Sequence, residues 1–353
     1  MSAANGTRVG LVDLQPHVPT PSPGFSNFLA EHDLTVAVFE NGRLWSISHD
    51  DEGNFLAHPT SFEPKGMVTW SSGQLWVTGR WSLWSLADAG PSGPGHRSTN
   101  HLMLPQVGHV VGDLDVTDLV PSDQGPFMVS ARFDVLARHD DRYSMSPVWV
   151  APNVQRFTPL SQYFLTGAVI SPSNKLWITA ATNGTHGETW FDHVQGGGLV
   201  MDSTGEVLHD GLTGPLQPRF FGENLIVVEA GTGRLVSIDP KSGDDVEVTV
   251  LTGVPSSLHV IDHFALVGHG APSRALMSKM TGGPALPGDY PSDRVSLIDL
   301  TKGTVVGTLI FEGFSGPISS ITTLENMRGA HFVSPRSSRS QNTCVVDEFS
   351  PLF

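Results

Sequence analysis

The sequence predicts an all-β protein, specifically a β-propeller of four-stranded blades. Three observations predict it: short apolar runs bounded by Gly, Pro, Asn or Asp, hairpin turns at short intervals, and a two-strand template that recurs along the chain. The clearest unit runs from Pro215 to His269. Leu225 to Glu229 is an apolar run, Gly231-Thr232-Gly233 a turn, and Arg234 to Asp239 an alternating strand. Lys241-Ser242-Gly243-Asp244 makes a second turn, Val246 to Leu251 a third strand, and Leu258 starts the pattern again.

Composition agrees with this reading. Among 353 residues there are 38 Gly and 26 Pro, an excess that goes with many turns. Only 16% of residues are charged and aliphatic residues are plentiful, so this is not the composition of a disordered chain.

Taken in order, residues 1–30 hold Pro16, Pro19, Pro21 and Pro23 with little periodicity. They are expected to form an irregular lead-in after one strand at Val9 to Leu14. Residues 31–335 form the single propeller domain, and residues 336–353 a C-terminal tail that closes the ring. Leu34 to Ser48 places two apolar strands around Asn41-Gly42, a strong hairpin signal. Glu63 to Thr78 repeats the plan around Ser72-Gly73, and Ser161 to Thr179 repeats it again. Superposed, Gly66-Met67-Val68 and Leu75-Trp76-Val77 match Gly167-Ala168-Val169 and Leu176-Trp177-Ile178. Arg219-Phe220-Phe221 and Ser257-Leu258-His259 fit more loosely, and weaker copies surround Phe127-Met128-Val129 and Ile318 to Phe332. Seven units favour seven blades, with six as the alternative. A β-sandwich does not predict such a recurring template.

Three turns, Asp202 to Glu206, Asp239 to Gly243 and Asp299 to Gly303, share an Asp, a short polar run and a Gly. Asp caps its own turn and Gly supplies positive φ, so these residues are structural.

Acidic residues exceed basic ones by 35 to 20, with no basic stripe, which argues against nucleic acid as a partner. Cys344 is the single cysteine, so no disulfide can form within the chain. The N-terminus lacks a basic and then apolar leader, and no window approaches the roughly 18 apolar residues of a membrane span. A soluble, cytoplasmic protein that does not engage membranes is expected. The sequence leaves its oligomeric state open.

From about Leu176 to Arg274 the chain resembles an uncharacterised bacterial family of propeller-like build. The residues that carry the resemblance are Ile178-Thr179-Ala180, Trp190, Gly197-Gly198 with Asp202, Pro215 with Pro218-Arg219, Gly231 and Gly233 with Leu235, and Val267-Gly268 with Ser273-Arg274. The family pattern places His-Ser between the two prolines, where this chain has Leu216-Gln217. Any chemistry that used that His would be lost or altered here. More distantly, the blade grammar is similar to that of sugar-lactone lactonases, virginiamycin-type lyases and strictosidine-synthase-like proteins. That resemblance implies a ligand at one end of the central channel.

The chemistry-bearing residues fall in two places. The segment Ala181 to Gly198 holds His186, Glu188, Asp192 and His193 after a strong strand. Imidazole and carboxylate together bind a divalent metal or move protons near neutral pH, and long loops on rigid scaffolds tend to be functional. The bland alternative is a solvated polar loop. The second set is His259, His263 and His269. If Leu258 to Ile261 is innermost in its blade, alternation turns His259 to the channel, while His263 falls in a turn. Fifteen His residues invite a metal hypothesis, yet no local metal motif exists, as expected if ligands come one per blade. Glu63, Lys65, Arg219 and His259 occupy comparable inner-strand openings. Gly196-Gly197-Gly198 precedes a strand, so it is not a phosphate loop, and no G-x-S-x-G is present. Trp70, Trp76, Trp81, Trp84 and Trp177 read as blade aromatics, with a ligand-facing role as the alternative for Trp81 and Trp84.

The leading expectation is a propeller enzyme acting on a small molecule at the channel mouth, a hydrolase, lyase or metal-assisted catalyst. His186, Glu188, His193, Arg219 and His259 are its candidate catalytic residues. His193, His259 and Glu63 are the candidate ligands of one divalent metal ion. The alternatives are a non-catalytic protein-binding or scaffold propeller and a structural remnant of an enzyme family.

Overall fold

The Asn41-Gly42 turn forms as its residues predict. Both take positive φ, 45° and 77°, and they join β2 (Leu34–Glu40) to β3 (Arg43–His49) in an antiparallel hairpin. The computed structural model describes residues 17–90, 101–154, 161–184, 195–271, 292–312, 316–337 and 340. Ahead of the hairpin lie β1 (Thr20–Pro21) and α1 (Pro23–His32), and after it β4 (Phe55–Ser61).

The chain continues through β5 (Val68–Ser71), β6 (Gln74–Thr78), β7 (Ser82–Asp88) and β8 (His101–Val110), the second blade. The third is β9 (Val116–Val120), β10 (Phe127–Ser130), β11 (Val135–Arg138) and β12 (Ser146–Val150). The fourth is β13 (Leu165–Ile170), β14 (Leu176–Ala180), β15 (Gly198–Asp202) and β16 (Val207–Leu212). The fifth is β17 (Pro215–Phe221), β18 (Asn224–Glu229), β19 (Arg234–Ile238) and β20 (Asp245–Val250). The sixth is β21 (Val254–Ile261), β22 (Phe264–Gly270), β23 (Asp293–Asp299) and β24 (Thr304–Phe311). Last come β25 (Ile318–Glu325) and β26 (Ala330–Phe332).

The propeller has six blades, which corrects the favoured count of seven. β25 pairs antiparallel with β2, from Leu34↔Glu325 to Glu40↔Ile318, so the first blade has the order β25-β2-β3-β4. The copies read at Leu34 and at Ile318 are therefore two parts of one sheet, contributed by opposite ends of the chain. Innermost strands pack in the closed cycle β25, β5, β9, β13, β17, β21 and back to β25. The copy at Phe127 is a second strand, because β9 is the inner strand of its blade. Two outer edges carry an extra strand, β26 in parallel on β8 and β1 on β24. Such caps shield edges that could otherwise pair with other chains.

The lead-in is helical where proline and aromatic residues stand together. Pro23 occupies the first turn, where a missing N–H costs nothing, and the Ser22 hydroxyl accepts from Phe25 N. Phe25, Phe28 and Leu29 form one buried stripe, packed with Trp45 of the first blade and Phe311 of the sixth. The strand expected at Val9 to Leu14 lies outside the described residues. Among the described residues no helix is long and apolar enough to cross a membrane.

The three Asp-to-Gly turns link third and fourth strands. Asp202 Oδ1 accepts from Thr204 N at 2.8 Å, Asp239 Oδ1 from Lys241 N at 2.8 Å and Asp299 Oδ1 from Thr301 N at 3.0 Å. Their glycines have φ of 86°, 78° and 66° at Gly205, Gly243 and Gly303. Each turn also presses on the preceding blade: a Cβ on Gly243 would lie 2.4 Å from Leu208 O, and one on Gly303 2.5 Å from Val248 O. Glycine thus serves both the turn and the seam between blades.

Candidate functional site in the central channel

The six inner strands run in parallel around the channel, from an upper end where they begin to a lower end where they finish. Side chains brace neighbouring strands across it. Ser320 Oγ donates to Val68 O and accepts from Val68 N, and two residues on Thr322 Oγ1 accepts from Trp70 N. Nearer the upper end Ser319 Oγ donates to Gly66 O, Thr117 Oγ1 to Leu165 O and Ser256 Oγ to Ile318 O.

Gln217 braces three other blades at once. From β17 its Nε2 donates to Thr117 O of the third blade at 3.2 Å and to Ser319 O of the first at 3.1 Å. Its Oε1 accepts from Leu258 N of the sixth at 3.0 Å. Two carbonyl acceptors and one N–H donor fix which end of the amide is which. The backbone reaches this position through a register shift between Leu216 and Arg219, with Gln217 at φ 41°. Gly167 makes room, since a Cβ there would lie 2.6 Å from Gln217 Cα.

One residue further along β21, at His259, and three further along β9, at Val120, the channel opens into a cavity of about 350 Å³ at the lower end, lined by residues of all six inner strands or of the turns that end them. Trp70, Val169, Ile170 and Phe220 supply apolar wall. Arg219 and Asp118 form a two-point ion pair, Nη2 to Oδ1 at 2.8 Å and Nη1 to Oδ2 at 2.9 Å. The Asp118 side chain is 1% exposed and that of Arg219 18%, so the carboxylate relies on this partner. Asp118 also accepts from Leu119 N at 2.9 Å and Ala168 N at 3.3 Å.

His259 Nε2 shares a 2.9 Å hydrogen bond with Thr323 Oγ1, and Nδ1 bonds no described residue. Burial, and after it the Arg219 cation, push its pKa down to about 3. The ring is therefore neutral at pH 7. So low a pKa makes it a weak base there, and its chemical use is to give or take a hydrogen bond. Glu325, which is exposed, also lines the cavity.

Of the sequence candidates, the structure brings Arg219 and His259 together on the wall of one cavity, from the adjacent strands β17 and β21. Glu63 sits elsewhere, on the connection from β4 to β5, where it accepts from Arg80 N at 3.0 Å and Arg336 Nη2 at 2.9 Å. Lys65, on the same connection, faces Asp115 at 3.8 Å. His186, Glu188 and His193 lie outside the described residues. The strands that flank them, β14 and β15, meet that segment at Ala180 and Gly198, and Ala180 pairs with Leu165 at the upper end. Among the described residues no three His, Cys, Asp or Glu side chains group as metal ligands.

His269 is buried, with Nδ1 2.9 Å from Thr252 O and Nε2 2.8 Å from Ser296 Oγ, and burial pushes its pKa down to about 4. His263 falls in the turn after β21, as expected. Trp81 and Trp84 do not line the cavity, whereas Trp70 does. Sequence reasoning missed Asp118, Thr323 and the role of Gln217. The one local signal was Gln217 itself, a long amide between two prolines on an inner strand.

The family model described as Domain of unknown function (DUF4915) matches residues 23–333. No curated protein matches the chain. Among solved structures, a chain in the crystal structure of a nidogen/laminin complex is similar with a TM-score of 0.52 and 12% identity, over 83% of this chain and 99% of that one. The computationally designed Ika8 protein matches with a TM-score of 0.31 and 13% identity, over 78% of this chain and 61% of that one. At such identity the first likeness shows the propeller fold alone.

Proposed function

The chain belongs to the DUF4915 family, which carries no assigned reaction, and from the geometry of its channel we propose that it binds a small molecule at the lower mouth. The ligand has a compact apolar body, held against Trp70, Phe220, Val169 and Ile170, and a polar tip that meets Arg219, His259 and Thr323. One observation carries this reading: polar groups from three blades converge in a cavity with otherwise largely apolar walls, the usual composition of a ligand pocket. The distant likeness in blade grammar to lactonases, lyases and strictosidine-synthase-like propellers supports a ligand at one end of the channel and supplies no reaction. At neutral pH His259 acts on the ligand as a hydrogen-bonding group.

A thermal-shift screen of small metabolites on the wild-type protein and on His259→Ala and Thr323→Val tests the proposal. At a hundredfold excess over Kd a ligand stabilises by about 2.7 kcal/mol, a shift of several degrees in Tm. The shift should shrink or vanish in both variants. Hits that bind all three proteins equally, or a screen without hits, would sink the proposal. A hit consumed on incubation makes the protein an enzyme, and a hit recovered unchanged makes it a binding protein.

A second reading, a platform for a protein partner, has one observation behind it. Val110 and Tyr143 are 79% and 69% exposed on the wall of one groove where the second and third blades meet, and Trp81, whose carbonyl accepts from Val111 N, is 51% exposed.

A further inference from the structure

We infer that Gln217 is a seal. It divides the central channel into two compartments that do not communicate, so the Arg219–His259 cavity is a blind pocket reached only from the lower face and closed above by this side chain. The inference deepens the ligand-binding reading above and rests on it for its functional meaning.

The geometry supports a seal rather than an ordinary structural glutamine. Gln217 belongs to the fifth blade, yet its amide bonds the third, the first and the sixth. In a ring of six inner strands, partners on both sides and beyond the nearest neighbours place the amide across the axis. The residue is only 2% exposed, so neither channel end wets it appreciably. Its amide O and N are both engaged, so passage of a ligand or a file of water would require breaking these bonds. Its partner Leu258 immediately precedes His259, and Gln217 itself stands two residues before Arg219, so the brace lies just above the two polar residues on the cavity wall. Shortening the side chain would join the two compartments. Its backbone, at positive φ, suits no β-branched residue.

The test compares the wild-type chain with Gln217→Ser, too short to cross, and Gln217→Met, which has the length but cannot form the amide's bonds. In a high-resolution crystal structure of the wild type, ordered water should stop on either side of Gln217. In Gln217→Ser a continuous file should run from Ser319 to Thr323. Amide exchange followed by NMR should accelerate at Leu258 by about tenfold in both variants, the worth of one lost hydrogen bond, with little change at other β21 amides. Gln217→Met should still interrupt the water file, which separates blocking from bonding. Water passing Gln217 in the wild type, or Leu258 exchange unchanged in Gln217→Ser, would overturn the inference. If Gln217→Ser does not fold, the wild-type water positions and the protection of Leu258 decide alone. None of these readouts needs a ligand, so they fail or succeed apart from the metabolite screen.

Discussion

Arg219 reaches across the channel to the Asp118 carboxylate, 101 residues away in sequence, and ties the fifth blade to the third by two hydrogen bonds of 2.8 and 2.9 Å. Arg219 is part of the cavity wall, and the pair cross-links the ring. Removing one partner strands a buried charge, whereas removing both does not.

Arg219→Ala should therefore lower stability by about 3 kcal/mol in urea unfolding. Combining it with Asp118→Ala should recover much of that loss. A double variant as unstable as the sum of the two single variants would show that the pair is not coupled.

His259 should make stability fall with acid before the carboxylates titrate. Unfolded, its pKa is near 6.5, and folded it is about 3, so between these values the unfolded chain binds the extra proton. The contribution is complete above about pH 6.5 and is lost as pH falls through that window, at up to about 1.4 kcal/mol per pH unit. His269 acts in the same direction. Urea midpoints between pH 7.5 and pH 5 should slope less in His259→Gln than in the wild type. Equal slopes would mean that the ring is not desolvated.

Gly243 and Gly53 separate the two uses of glycine. Both have positive φ, 78° and 83°, but a Cβ meets Leu208 O at 2.4 Å at the first and nothing within 4 Å at the second. Gly53→Ala should cost about 1 kcal/mol for the left-handed backbone, and Gly243→Ala about 3 because the blade seam must also open. Similar Tm values for the two variants would remove the seam from the explanation.

Ring closure rests on β25. A chain ending at residue 316 keeps β2, β3 and β4 but leaves β2, buried along its whole length, without an inner neighbour. It should elute as large assemblies in size-exclusion chromatography and lack a cooperative unfolding transition. A monomer that unfolds cooperatively would show that the remaining strands close without it.

The strands, the hairpin at Asn41-Gly42 and the Asp-to-Gly turns were legible in the sequence, because alternation, turn residues and side-chain caps act between residues a few positions apart. The same logic placed Arg219 and His259 on neighbouring inner strands. Only the tertiary structure decided that there are six blades, since Leu34 and Ile318 reveal themselves as one sheet only when the ends of the chain meet. It alone brought Asp118 to Arg219, Thr323 to His259 and three blades to the amide of Gln217. Those partners lie 41 to 102 residues apart. Contacts over such separations are set by closure of the ring, and no local pattern of residue types records them.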